Sequence, residues 1–359
     1  MILAVAISSG FRHEVRTSLS AVSGDILLSA PDLNVMSETR PVDASDPCLS
    51  YVESSRLVSD VVPAVWRAGI VRHGDSMHGV VVKGVPSAAS DTIPLGVSIP
   101  RQLSRVSGLQ PGDRMLTCFI GENLKVRQFN VTDVHDAVVE ADDRFIVYAS
   151  LSDMQRLNGW NENQVSALEV HLVPGHDDEA AIMEATREIG SILMLYQEND
   201  ELVATSSVSR YPQLFGWLSL IDFNVGIILL LMTVVAGFNM ISGLLIMLFE
   251  NISTIGVLKS LGMMDRSISK VFLASSAVLV GKGMAIGNVL ALIVCIIQKT
   301  THLLKLNPEN YYVSFVPVDI DLGVILLADT LSFAVIMLLL LIPCLFISKV
   351  DPARTVRVR

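Results

Sequence analysis

Residues 223–249 read FNVGIILLLMTVVAGFNMISGLLIMLF, 27 positions without an Asp, Glu, Lys, Arg or His. A helix rises about 1.5 Å per residue, so this run outspans the roughly 30 Å of a bilayer's hydrocarbon core. Two runs downstream read the same way. Residues 271–298 hold Lys282 as their single charge, and residues 322–348 hold Asp329 as theirs. Together the three predict a polytopic membrane protein and exclude a simple soluble enzyme. Composition agrees: 51% of residues are hydrophobic, 17% charged, and mean hydropathy is +0.53. The charged share lies below the quarter or so usual in soluble domains.

Outward from these runs, charge separates the chain. Residues 1–221 carry 16 Lys plus Arg against 28 Asp plus Glu, while the remainder carries 10 against 8. An acidic head lacks the basic stripe that neutralises phosphates, which argues against a nucleic-acid partner. The tail 349–359 holds Lys349, Arg354, Arg357 and Arg359 against Asp351 alone, so the positive-inside rule places it in the cytoplasm. Counting back, the 299–321 loop is external, the 250–270 loop is cytoplasmic, and everything before Asp222 is extracytoplasmic.

The expected architecture is an α-helical membrane domain, with three full spans and a partial N-terminal one, bearing a large α+β extracytoplasmic domain. The partial span is 1–10, the extracytoplasmic domain 11–221 and the membrane domain 222–359. Within the last, spans are expected at about 223–249, 271–298 and 322–348, with a cytoplasmic helix at about 250–264. Met1–Gly10 is apolar but covers only about 15 Å as a helix, without the basic flank of a signal peptide. It reads as the outer half of a first span. The alternative is a three-span chain with a short apolar arm.

In the head, Phe11–Ala30 reads as a helix leaving the membrane, ending before Pro31. Val-rich pieces at Val58–Val71 and Gly79–Val85 follow, then a short helix at Ile99–Val106 closing on Gly108. Strands are expected at Arg114–Ile120, Lys125–Val139, Phe145–Ala149 and Val165–Val173, and helices at Ser152–Leu157 and Glu179–Leu193. The last carries Ile182, Ala185, Ile189 and Leu193 on one face. His73 and His78 flank Asp75, and His135 neighbours Asp133 and Asp136, but neither set sits on a rigid ligand spacing, and both read as solvated turns. Asp142-Asp143 and Asp177-Asp178-Glu179 read as solvated faces. No GxSxG, HExxH or GxxxxGK[ST] occurs. The chain is therefore read as non-catalytic, with no cofactor and no metal. Cys48 and Cys118 either pair or stay free, and Cys295 and Cys344 fall inside spans.

Three features of the membrane half carry functional expectations. In the cytoplasmic loop, Ile255, Leu258 and Leu261 fall at i, i+3 and i+6, with Glu250 and Lys259 nearby and Gly262 as a stop. Such a helix either docks in a partner's groove or lies on the membrane surface. Lys282 and Asp329 come out level when counted from Lys270 and Asp321, which predicts an ion pair between their spans. The alternative has each reaching water at its own face. Gly283 and Gly287 form a GxxxG packing pattern. Met232, Phe238, Met240 and Met247 either line a lipid-accepting cavity or face ordinary lipid.

The loop Phe249–Gly262 (FENISTIGVLKSLG), with Gly256 between Ile255 and Val257, resembles the coupling-helix signature of the FtsX/MacB-like ABC permease family. The tail from Ile342-Pro343 to Ser348-Lys349-Val350-Asp351-Pro352-Ala353-Arg354 is similar to that family's closing motif. Leu306-Asn307-Pro308-Glu309-Asn310-Tyr311-Tyr312, leading to Val316-Pro317-Val318, resembles the LolC/LolE lipoprotein-releasing branch. Val82–Pro86 and Gly108–Asp113 are similar to loops of MacB-type periplasmic cores. Thr254 departs from the family, which often has Glu there. The resemblance implies a permease subunit of the inner membrane with a separate ABC ATPase subunit and a second permease copy or homologue. A lipoprotein substrate, a periplasmic lipoprotein chaperone and membrane lipid complete the implied partners. Alternatives within the resemblance are a MacB-like efflux permease and an FtsX-like signalling subunit controlling a cell-wall hydrolase.

Overall fold

Ile26-Leu27-Leu28-Ser29 illustrates how tertiary pairing decides local structure here. The sequence reading extends one helix from Phe11 to Ala30. In the computed structural model, helix α1 (Ile2–Ser23) stops at Gly24, and Ile26–Ser29 become strand β1. Gly24 takes φ +67°, a conformation open to glycine at little cost, which reverses the chain. All four β1 residues are then buried between two antiparallel neighbours, β10 (Ala167–Leu172) and β11 (Val203–Ser206). The structure describes residues 1–31, 33, 40–74, 76–86, 93–119, 124–136, 145–175, 178–197, 202–306, 313 and 315–344. Two compact units result: Met1–His13 with Gly216–Lys305 and Phe315–Arg359, and Glu14–Phe215 with Leu306–Ser314.

The second unit is the α+β head. Its other elements are β2 (Val42–Asp43), α2 (Cys48–Glu53), β3 (Val58–His73), β4 (Ser76–Val85), β5 (Gly96–Pro100), α3 (Arg101–Ser107), β6 (Arg114–Phe119), β7 (Lys125–His135), β8 (Phe145–Ser150), α4 (Leu151–Asn158), β9 (Gln164–Val165), α5 (Glu179–Tyr196) and α6 (Ser207–Arg210). Nine strands run in the order β11-β1-β10-β3-β4-β8-β5-β7-β6, and β3 also pairs with β6. That extra pairing closes six strands into a ring. The first half of β3 serves the open sheet through β10, and its second half pairs with β4 and β6. A 16-residue strand is long enough to be shared in this way.

Alternation sorts the two faces. Val65, Val82, Val97, Phe119, Phe129 and Val147 point into the ring's core, and every one is 0–1% exposed. Trp66, Lys83 and Tyr148 stand on the outer face of adjacent strands. Helix α5 buries Ile182, Ala185, Ile189 and Leu193, the face read from the sequence. Helix α3 ends on Gly108 at φ +76°, and α4 on Gly159 at +75°. Cys48 and Cys118 are both free, and burial pushes the Cys48 thiol up to about 12, with Asp46 adding to the shift.

Gly24 carries a measurable prediction. A Cβ there would stand 3.0 Å from the Glu169 Cβ, on a left-handed backbone. Gly24→Val is expected to cost about 2–3 kcal/mol, combining left-handed strain with overpacking. Denaturant unfolding of the purified chain measures it; a loss below 0.5 kcal/mol would mean the turn relaxes freely.

Among the described residues three helices are long and apolar enough to cross a membrane, α7 (Pro212–Glu250), α9 (Asp265–Thr301) and α10 (Leu322–Cys344), and from Gly216 on they belong to the first unit. Between α7 and α9 lies the short α8 (Ile252–Ser260). The start of α1 joins them. Ser8 Oγ donates to Asp222 Oδ1 at 2.7 Å, and Arg12 ion-pairs with the other oxygen of that carboxylate. The Asp319 amide donates to the Ala6 carbonyl at 3.0 Å, and Gly10 leaves room for the Pro317 backbone.

Candidate functional site

The α7–α8–α9 turn is built by one interruption and one stop. Asn251 breaks the helix after Glu250, its side-chain amide donating to the Met247 carbonyl at 2.9 Å. Chain direction changes and α8 begins. At the far end Gly262 sits at φ +89°. Its amide donates to Lys259 O and the Met263 amide to Leu258 O, both at 3.0 Å. That double bond pattern is a Schellman closure, which satisfies carbonyls a free helix end would leave open. Lys259 Nζ then pairs with Asp265 Oδ1 at 2.9 Å, tying the end of α8 to the first turn of α9. Asp265 is also favourably placed at the positive end of the α9 dipole.

Packing orients this braced helix differently from the sequence reading. Ile255 is 1% exposed and belongs to the membrane unit's own core, with Leu244 and Leu248 of α7, Ile268 and Val280 of α9, and Ile336 and Leu340 of α10. Gly256 is buried and Leu258 partly so. The apolar residues turned outward are Val257 (52%), Leu261 (79%), Met263 (40%) and Met264 (72%). Of the expected stripe only Leu261 is available to a partner, and Ile255 and Leu258 hold the helix in place. Glu250 lies exposed at the end of α7. Val257 was missed because both faces of α8 are apolar, so periodicity alone does not choose between them, and Met263 and Met264 because they lie past α8, in its turn to α9.

The intramembrane residues also rearrange. Asp329 Oδ2 accepts from Asn288 Nδ2 at 2.5 Å, so the expected Lys282–Asp329 pair is replaced by an amide–carboxylate bond between α9 and α10. Asn288 lies six residues beyond Lys282, about 9 Å further along the helix. The count took Lys270 and Asp321 as membrane faces, whereas α9 starts five residues earlier at Asp265, and depth counted from loop charges misses the register set by side-chain packing. Lys282, Gly283 and Gly287 are exposed on α9. Met232 and Phe238 are 50% and 64% exposed, while Met240 packs partly against the core and Met247 is half-buried. The four therefore do not share one face.

In the head, His135 Nδ1 lies 2.8 Å from Ser98 Oγ, and Asp136 is taken by Arg101. Burial lowers the His135 pKa, with Asp133 and Asp136 pulling it partly back. His73 and His78 sit opposite Ser76 and Val71 in the β3–β4 hairpin. Among the described residues no three His, Cys, Asp or Glu side chains converge as a metal site. Asp75, Asp142-Asp143, Asp177, Asn307–Tyr312 and the tail beyond Cys344 lie outside the described residues.

Comparison with known proteins adds the following. Residues 226–352 match the family model described as FtsX-like permease C-terminal. The lipoprotein-releasing system transmembrane protein LolC of Xylella fastidiosa (strain Temecula1) is 21% identical over 383 residues, covering 99% of this chain and 90% of that one. LolC of Neisseria meningitidis serogroup B is 21% identical over 394 residues with the same coverage. Among solved structures, the periplasmic region of MacB from Actinobacillus actinomycetemcomitans overlaps 54% of this chain and 95% of its own, at 11% identity and TM-score 0.34. The extracellular domain of the transporter YknZ from Gram-positive bacteria covers 50% of this chain and 99% of its own, at 11% identity and TM-score 0.31.

Proposed function

We propose that this chain, whose residues 226–352 match the family model described as FtsX-like permease C-terminal, is an ABC-permease subunit that releases lipoproteins from the inner membrane. A separate ABC ATPase subunit supplies the work, and a periplasmic lipoprotein chaperone receives the cargo. The observation that carries the reading is the α8–α9 corner: a short helix, braced at its C-terminal end by the Schellman closure and the Lys259–Asp265 pair, that turns Val257 outward and is followed by the exposed Leu261, Met263 and Met264. Apolar side chains clustered on a rigid element suit a partner's groove. Bracing matters mechanically, since a push on a frayed loop would be dissipated before reaching α7 and α9. Relatives that match nearly the full chain and are themselves lipoprotein-releasing proteins support the substrate class.

In this reading the head faces the periplasm, the tail after Cys344 is cytoplasmic, and two permease copies or homologues enclose the lipid anchor. ATP-driven closure of the ATPases moves α8 and with it the ends of α7 and α9. No residue of this chain performs covalent chemistry in the cycle. Depletion in the host, followed by separation of the two membranes, tests the proposal. A triacylated lipoprotein is expected to accumulate in the inner membrane. Normal sorting with a drug-sensitivity or cell-separation defect would overturn lipoprotein release in favour of an efflux or hydrolase-signalling role.

A further inference from the structure

Lys282 is the only charge between Lys270 and Lys299, and it faces away from the rest of its chain. Among the described residues it makes no ion pair, and Asp329, the only acid in the three apolar runs, is bonded to Asn288. Lys282 stands about 18 Å along the helix from Lys270 and about 25 Å from Lys299. A core about 30 Å thick centred on that run puts Lys282 about 11 Å from the nearer headgroup layer, beyond the roughly 6 Å reach of a lysine stem. Left in lipid, such a charge costs about 2.5–3.5 kcal/mol on insertion scales.

The surface beside it is shaped for close approach. Gly283 and Gly287 lie on the same face, and a Cβ built on either would meet nothing within 4 Å. Ile286 and Leu290, at 64% and 60% exposure, complete the strip. Small residues let a second backbone come near, and a helix that does so brings its side chains within reach of the ammonium.

A second copy of this chain does not supply the missing charge. Copies related by an axis along the membrane normal keep every residue at its own depth. The copy's Asp329 therefore stays at the level of Asn288, about 9 Å outward of Lys282, and already holds a partner. We propose that the Lys282–Gly283–Ile286–Gly287–Leu290 face of α9 docks a transmembrane helix of a different chain, one bearing an Asp or Glu at the depth of Lys282. The inference rests on α9 spanning a bilayer and not on which cargo the permease moves.

The test uses the full chain in its host membrane, with benzoylphenylalanine installed at Ile286 and irradiated. The expected product is an adduct with a non-identical chain, mapped to a helix with Asp or Glu within one turn of the cross-linked residue. Lys282→Asp should lower its yield at least tenfold and Lys282→Arg should leave it unchanged. Changing the partner's acid to Lys in the Lys282→Asp background should restore it. Gly287→Leu, which keeps the charge, should also remove the adduct while leaving the thermal midpoint of the isolated chain in place. An adduct with a second copy, adducts with lipid alone, or a yield indifferent to both Lys282→Asp and Gly287→Leu would overturn the proposal.

Discussion

Leu261→Asp is expected to abolish coupling to the ATPase subunit while leaving the permease folded and inserted. Leu261 is 79% exposed and makes no part of the membrane unit's core, so a carboxylate there meets water when the chain is alone. In the proposed complex the same carboxylate would replace an apolar anchor. Loss of the buried Leu side chain removes about 1.5–3 kcal/mol, and burying an unpaired charge adds to that. At 1.4 kcal/mol per decade the affinity for the ATPase should fall at least tenfold, and lipoprotein release with it. Co-purification of the ATPase with the permease reads the first, and inner-membrane retention of a lipoprotein reads the second. Val257→Asp should behave alike. Ile255→Asp should behave differently, because Ile255 is 1% exposed within the α7–α10 core. It is expected to lower the amount of inserted protein and not merely its coupling. Retention of the ATPase by Leu261→Asp and its loss with Leu258→Asp would place the docking face on the opposite side of α8.

That contrast shows what the sequence could and could not decide. The three spans were legible because 20 or more apolar residues have few other physical uses. The core face of α5 was legible because Ile182, Ala185, Ile189 and Leu193 recur at helical spacing, with Glu184, Arg187, Glu188 and Ser191 between them. Helix α8 offered no such contrast: Ile255 and Leu258 fit a stripe no better than Val257 and Leu261 do. Only packing into a core that also holds Ile268 of α9 and Leu340 of α10 chooses between them. The same holds for Asp329, whose partner Asn288 is neutral and thus invisible to a search for opposite charges. Likewise β1 looked helical because Ile26-Leu27-Leu28 continues the apolar run of α1, and its pairing with β10 and β11 comes from residues more than 130 positions away.

One node of the head carried no signal at all before its geometry was known. Lys83 and Glu169 are 3% and 2% exposed at the side chain, with Lys83 Nζ 2.7 Å from Glu169 Oε2. The same ammonium donates to the Val22 carbonyl at 2.7 Å and stands 4.9 Å from the Trp66 ring centroid. Trp66 Nε1 donates to the other Glu169 oxygen at 3.1 Å. A cation thus receives the last turn of α1, where the helix dipole favours positive charge. Yet the Lys83 pKa is lowered from its ordinary value, burial outweighing the pull of Glu169. Taking both charges out of water costs roughly what their attraction returns, so the pair as a whole adds little net stability. Removing one member is a different matter, because the survivor is left buried with an uncompensated charge. Lys83→Met and Glu169→Leu are each expected to destabilise the head by about 3–5 kcal/mol. The double variant should recover most of that loss, since both charges leave together. Denaturant unfolding followed by tryptophan fluorescence measures all three. A double variant as unstable as the two single losses added would show that Lys83 and Glu169 stabilise the head independently, through Val22 and Trp66, and not as a pair.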